Sequence, residues 1–289
     1  MNIIDNREEF LFLYDVSDAN PNGDPLDENK PRIDEETGIN VVTDVRLKRT
    51  IRDFLFNFKG YNGKNGKDIF VRTIESKEGG IQDGKQRSGN FDNNREKILK
   101  KCIDIRLFGG VLPLEKDSIK FTGPVQLKMG RSLHKVQLQH IQGTGAFGSK
   151  KGAKQQTFRE EYILPYSLIA FYGVINENAA QHTKLTDDDV SEFYEAMWAG
   201  TKNLISRSKM GHNPRMLLKI KHKEPYFFIG DLDKYVTLES DLDDEQLRDV
   251  DDFTLNLEAL SGILETHEDK IESFEMKTDD RLKVSGWNQ

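Results

Sequence analysis

The chain has 289 residues, 36% of them hydrophobic, a mean hydropathy of -0.66 and a formal charge of -7. That length suits one large domain or two small ones, and no run approaches the ~18 apolar residues of a membrane span. A single cysteine, Cys102, excludes an intrachain disulfide and a multi-cysteine zinc site, and the opening MNIIDNREEF lacks the pattern of a secretory leader, so a cytoplasmic protein with no membrane partner is expected.

The predicted elements begin with a buried strand at EEFLFLYDV, residues 8–16, followed by an irregular insertion rich in turn residues, ANPNGDPLDENKPRIDEETG. Thr43 predicts the cap of a helix running to about Phe58, because Leu47, Ile51, Phe54, Leu55 and Phe58 fall on one apolar stripe. Arg46, Lys48, Arg49 and Arg52 lie off that stripe. DIFVRTI is a predicted strand, GGIQDGKQRSGNFDNN a glycine-rich loop, and a short helix follows around residues 95–102. IKFTGPVQLKMGRSL reads as extended and EYILPYSLIAFYGVI as a long buried strand, with a projecting hairpin or loop between them over about 134–160. Thr186 and Asp189 give a capping box for a helix ending near Arg207. PRMLLKIKH and PYFFIG are strand candidates, and the acidic tail is predicted to be mostly helical. Without the insertions the order is β-α-β-β-α-β, which is the α+β, ferredoxin-like order.

Charge is unevenly placed. Ser118 to Arg159 holds eight Lys or Arg and no carboxylate, and Ala196 to Lys223 holds seven and none. Asp241 to Asp280 carries fifteen acids against three bases. If the two basic windows meet in space they make a positive face that suits phosphates, and Phe147 and Phe158 beside them suit base stacking. A solvated lysine-rich loop is the competing reading of the same composition.

Catalytic and metal motifs are weak. DANPNG starts like a calcium loop, but Asn29 stands where the loop needs a glutamate, and Pro21 and Pro25 interrupt it. The six histidines show no metal spacing, and neither a nucleophile elbow nor a phosphate loop appears. Asp15, Asp18 and Asp24 are the only carboxylates placed to suggest metal-assisted cleavage, and a structural turn accounts for them as well. No cofactor, no metal and no catalysis are expected.

The stretch FLYDVSDANPNGDPLDENKPRIDEETGINVVTDVRLKRTIRDFL resembles the backbone subunit of type I CRISPR surveillance complexes (Cascade), in the branch serving subtypes I-B and I-C. The shared pattern is N-P-N-G-D-P at Asn20 to Pro25, P-R-x-D at 31–34, T-G at 37–38 and V-[ST]-D-x-x-[LI]-K-R at 42–49. IRLFGGVL, FTGPVQLKMGRSL and YILPYSLIAFYG extend the likeness over most of residues 8–223. The resemblance implies a ferredoxin-like, RNA-recognition-type palm in a single domain. It also implies finger insertions over about 17–42 and 59–118, a thumb hairpin over about 134–160, and an acidic helical part over about 238–289. Copies would stack head to tail on a CRISPR guide RNA beside other Cascade subunits, and target DNA would pair with the exposed guide. RNA-binding residues implied in this sequence are Asn20, Asn22, Arg46, Lys48, Arg49, Arg52, Gln126, Lys128, Arg131, His134, Lys150, Lys151, Arg207 and Lys209, with Phe147 as the thumb wedge. The rivals are an endoribonuclease of the same superfamily and a non-assembling RNA chaperone.

Overall fold

The computed structural model describes residues 2–76, 79–113, 118–148 and 156–288. Its main sheet contains β1 (Glu8–Ala19), β2 (Ile39–Val42), β3 (Val125–Leu127), β4 (Gly130–Lys135), β5 (Gln139–Gly148), β6 (Gln156–Ile175), β7 (His212–His222) and β8 (Ile271–Thr278). The strand order is β8-β7-β1-β6-β4-β2, with β3 and β5 also paired to β6, and every pair is antiparallel. The first strand lies in the middle: Phe12 stands opposite Phe171 of β6 on one side and Leu217 of β7 on the other.

A strand with Phe10, Phe12 and Tyr14 on one face and Leu11 and Leu13 on the other must be covered twice. The first cover is a helical layer, α1 (Asp44–Phe58) and α2 (Asp187–Lys202). Thr43 caps α1, accepting the Arg46 N–H, and Leu47, Ile51, Phe54 and Leu55 are buried against Phe10, Phe12 and Phe193 as the stripe predicts. Phe58 departs from it, 61% exposed, because the helix runs past the edge of the core there. The Thr186–Asp189 box starts α2, but the helix ends at Lys202 and residues 203–211 turn back toward β1.

The second cover is the acidic C-terminal region, and here the helical expectation over 238–289 is corrected. Its one α-helix is Glu258–Thr266; the rest is short 3-10 turns, a small sheet of Thr237–Glu239, Thr254–Asn256 and Val284–Ser285, and β8. Leu232, Val250, Phe253, Leu255, Leu257 and Leu260 are spaced singly among the acids and pack on Leu11, Leu13, Leu168 and Leu218. Isolated apolar anchors on irregular backbone carry no helical period, which is why the pattern misled.

Two predicted strands are absent, both because side chains take the backbone groups a ladder would use. In DIFVRTI the Asp104 carboxylate accepts the N–H of Phe70 at 2.7 Å and of Val71 at 3.0 Å, while Arg87 donates to the carbonyls of Ile69 and Phe70. In PYFFIG the buried Glu9 carboxylate accepts the N–H of Ile229 at 2.7 Å and of Gly230 at 2.8 Å. Burial alone would raise the Glu9 pKa, but these bonds and those from His222 and Tyr172 hold it below the usual value. The glycine-rich loop also contains a short helix, Gly84–Gly89, capped by Asp83.

The second cover makes a direct prediction. Leu218 is fully buried between the sheet and the C-terminal layer. Leu218→Ala should cost about 2–5 kcal/mol, read as a shifted denaturant midpoint at unchanged slope. A change under about 0.5 kcal/mol would mean the C-terminal layer is not packed on the sheet.

Candidate nucleic-acid interface

The motif-bearing segments meet at the C-terminal end of β1. Asn22 Oδ1 accepts both the N–H and the hydroxyl of Thr43, each at 2.9 Å, so the loop after β1 grips the residue that caps α1. Arg32 closes that loop by donating to the carbonyls of Asn22 at 3.2 Å and Gly23 at 2.8 Å. Asn40 donates to the Arg32 carbonyl and accepts from Ser167 of β6. Asn20 is buried, and its amide donates to the carbonyl of Asn29. The two asparagines predicted to touch RNA therefore shape the loop.

The turn after α2 is tied to the same strand end. Ser17 N–H donates to the Gly211 carbonyl at 3.1 Å, and Asn20 N–H to the Ser208 carbonyl at 3.0 Å. Gly211 has φ +111, and a Cβ there would sit 2.4 Å from the Ser17 carbonyl, so only glycine fits. This turn delivers Lys209, whose ammonium donates to the carbonyls of Asn20 and, at 3.1 Å, Pro21.

Across from it stands Arg46 on α1, its guanidinium donating to Thr50 Oγ1 at 3.1 Å. Arg46, Pro21, Tyr14, Thr50 and His212 line one small cavity, with His212 stacked on Tyr14 at 5.7 Å. Among the described residues neither Arg46 nor Lys209 forms an ion pair with a carboxylate. The electrostatics record that confinement. Burial, then the Arg46 charge, pushes Lys209 down to about 8. Burial, with Lys209 and Arg46 beside it, takes His212 down to about 3, and burial also lowers Arg46. Two neighbouring cations beside a buried neutral imidazole, neither ion-paired with a carboxylate among the described residues, have the chemistry to receive a phosphate.

The other predicted cations are placed differently. Lys48 pairs with Asp44 at 2.8 Å and Arg49 with Asp53 at 2.7 Å. Arg52 turns inward to the fully buried Asp104 at 3.0 Å and lies over Phe108, so it braces the segment that carries those residues rather than facing solvent. Lys128 meets Asp231 and Asp233, Arg131 meets Asp34 at 3.4 Å, and Arg207 meets Glu161. The two basic windows thus do not form the unbroken positive face their composition suggests, because the loop after β1, β6 and the acidic C-terminal layer bring carboxylates to them. Gln126 is exposed and donates to the Gly123 carbonyl.

His134 is corrected from a phosphate ligand to a core residue. It is 2% exposed, Nε2 accepts the Leu168 N–H at 3.1 Å, and Nδ1 donates to the Lys135 carbonyl at 2.7 Å, so burial lowers its pKa and holds it neutral. Phe147 lies on the backbone of β5, with its side chain outside the described residues, as are Lys150 and Lys151. The base of that hairpin is pinned to the loop after β1: Tyr162 donates to Glu28 at 2.9 Å, His140 stacks on its ring at 4.6 Å, and Lys30 sits over it.

The sequence reasoning missed Tyr14, Pro21 and His212. The only available signal was His212 lying three residues after Lys209 in an acid-free window. As for catalysis, Asp15 is buried and bonded to Arg215 at 2.7 Å and Tyr166 at 3.0 Å, while Asp24 accepts from Leu26 N–H and faces Arg32. Among the described residues no group of three His, Cys, Asp or Glu could hold a metal ion, and no helix is long and apolar enough to cross a membrane.

This mixed α/β architecture with its large antiparallel sheet is shared with a solved chain of a CRISPR RNA-guided surveillance complex in a pre-nicking state. The TM-score is 0.50 at 12% identity, over 78% of this chain and 83% of that one. Residues 6–258 match the family described as CRISPR-associated protein Cas7, and a CRISPR-associated protein Cas7 from Haloferax volcanii is 30% identical over 96% of this chain and 88% of its own length. The chain belongs to the Cas7 family.

The different burdens of Asn22 and Arg52 can be separated. Asn22→Ala removes the grip on the helix cap and should lower stability by about 1–2 kcal/mol. Arg52→Ala strands the buried Asp104 and should cost about 3–5 kcal/mol. Thermal melts of the two variants check the order; equal, negligible losses would show Arg52 to be a solvated side chain.

Proposed function

We propose that this Cas7-family chain is a non-catalytic, cytoplasmic guide-RNA-binding backbone subunit that polymerises along the CRISPR RNA of a type I complex of the I-B/I-C branch. The observation that carries the reading is the Arg46–Lys209 pair, two neighbouring cations without an ion-paired carboxylate, beside the loop after β1 that bears the family pattern. RNA phosphates would complete it, and because phosphate contacts carry no sequence information, one such pair would serve any guide. The core strands β7-β1-β6-β3, with α1 after the first and α2 after the third, support a ferredoxin-like palm, since a β-α-β-β-α-β chain of that type has its fourth, first, third and second strands in this order. The β5–β6 hairpin is the proposed thumb. Target DNA would be read by pairing with guide stretches left exposed between subunits, in company with other subunits of the complex.

Arg46→Ala combined with Lys209→Ala should weaken binding to guide RNA by roughly 100-fold at moderate salt. It should also flatten the slope of log K against log[salt] by about 1.4, the share of two phosphate contacts on a single strand. Fluorescence anisotropy at three or more salt concentrations measures both. An unchanged slope in a folded variant removes this pair from the interface.

Deleting Gln137 to Gln156 should leave the sheet folded, because the part of β6 that pairs with β1 begins beyond the cut, at Leu164. Such a protein should bind short RNA but form no regular assemblies on a full guide, as seen by negative-stain microscopy. Normal assemblies would show that this hairpin is not the thumb.

A further inference from the structure

Resting on the guide-RNA reading above, the small cavity beside Arg46 bears on which sugar the chain accepts. We propose that this cavity is a hydroxyl site, which takes a 2′-hydroxyl of the RNA between the His212 imidazole and the Arg46 guanidinium and so favours RNA over DNA.

The first support is an unpartnered side chain. His212 is 4% exposed, and neither of its ring nitrogens has a hydrogen-bond partner among the described residues; the Lys209 carbonyl comes near the ring, but not in hydrogen-bonding geometry. A buried polar group left in that state is costly unless something from outside completes it. The stack on Tyr14, with ring planes 18° apart, sets the orientation of the imidazole. The second support is the space available. The cavity that His212 lines with Arg46, Tyr14 and Thr50 measures about 10 Å³ to a water-sized sphere, which is room for one oxygen atom with its protons and for no larger group. Arg46 and Leu204 are the two lining residues that are not buried, so the cavity meets the surface beside the guanidinium.

The chemistry of the lining selects the group. Burial, then the Lys209 and Arg46 charges, keeps His212 neutral, so one ring nitrogen carries a proton and the other is a bare acceptor. A phosphate oxygen has no proton to give that acceptor. A hydroxyl donates to it, and the hydroxyl oxygen accepts from Arg46, whose guanidinium has five donors and uses one on Thr50. In a ribonucleotide the 2′-hydroxyl stands on the carbon next to the one that bears the 3′ phosphate, so a phosphate gripped by Arg46 brings that hydroxyl to the mouth of the cavity. There it would replace a water and reproduce its bonds. Deoxyribose offers no such group, and binding it would leave the imidazole uncompleted.

The test uses the full-length protein, a short single-stranded RNA, and a 2′-fluoro strand of the same sequence, which keeps the ribose pucker but has no proton to donate. Anisotropy titrations at one salt concentration should show the 2′-fluoro strand bound roughly tenfold more weakly than the RNA. In His212→Phe, which retains an aromatic ring against Tyr14 but no nitrogen, the two strands should bind alike; thermal melts establish that this variant is folded. A second measurement needs no variant: with ¹⁵N-labelled histidine, RNA should move the ring-nitrogen resonances of His212 and the 2′-fluoro strand should not. Equal wild-type binding of the two strands would mean that the cavity holds water only, and would overturn the proposal while leaving the RNA reading intact. A preference for RNA that survives in folded His212→Phe, or His212 resonances that RNA leaves in place, would assign the hydroxyl to another site and overturn it equally. Absence of RNA binding altogether would bring down the guide-RNA reading, and this inference with it.

Discussion

Two neighbouring cations without a carboxylate partner repel each other, and a fold keeps such a pair only when the rest of the structure holds both of them in place. Here Arg46 and Lys209 come from elements far apart in sequence, and each is fixed by a backbone constraint. Asn22 binds both donors of Thr43 and so sets the start of α1, while the glycine at 211 lets the turn after α2 close onto Ser17. Elsewhere the chain neutralises its bases internally, as Arg52 with Asp104, Arg215 with Asp15 and Arg106 with Asp189 show. A pair of cations left without such internal pairing has the charge to attract an anion from outside.

The two covering layers would limit where a bound RNA could lie. Domains that read single-stranded RNA on an open sheet stack bases on exposed aromatic residues of the strands. In this chain the helices take one face and the acidic C-terminal layer takes the other, burying Tyr166, Leu168 and Tyr172. Both sheet faces are therefore covered, and Arg46 and Lys209 lie at the strand ends, between the loop after β1, the start of α1 and the turn after α2. The hairpin that rises from β6 leaves the sheet beside that loop, fastened through Tyr162 and Glu28, and the same loop holds the Lys209 ammonium.

Much of the fold was legible because it follows period and capping. The stripe Leu47–Ile51–Phe54–Leu55 and the Thr43 cap placed α1, and the apolar runs placed β1, β6 and β7. What failed depends on long-range partners. DIFVRTI and PYFFIG have strand composition, but Asp104 and Glu9 reach across the fold to take their N–H groups. The acidic tail looked helical because acids and leucines alternate loosely in it, whereas its apolar residues serve as single anchors on a sheet face. In the site, the fold brings several of the segments singled out in the sequence together at the end of β1, while several of their side chains are paired or buried. Composition showed windows without carboxylates but could not show that Glu161, Asp231 and Asp34 fold onto them. His134 looked like a ligand in a basic loop, while the register of β4 against β6 turns it into the core.

The central claim is that the Arg46–Lys209 pair grips the backbone of a guide RNA and does so in successive copies of the chain. The most direct measurement is cryo-electron microscopy of the protein assembled on one guide RNA, at a resolution that separates phosphates from bases. The account predicts a phosphate within hydrogen-bonding distance of both the Arg46 guanidinium and the Lys209 ammonium in each repeating copy. RNA density running elsewhere on the chain, with neither cation in contact with a phosphate in any copy, would contradict it.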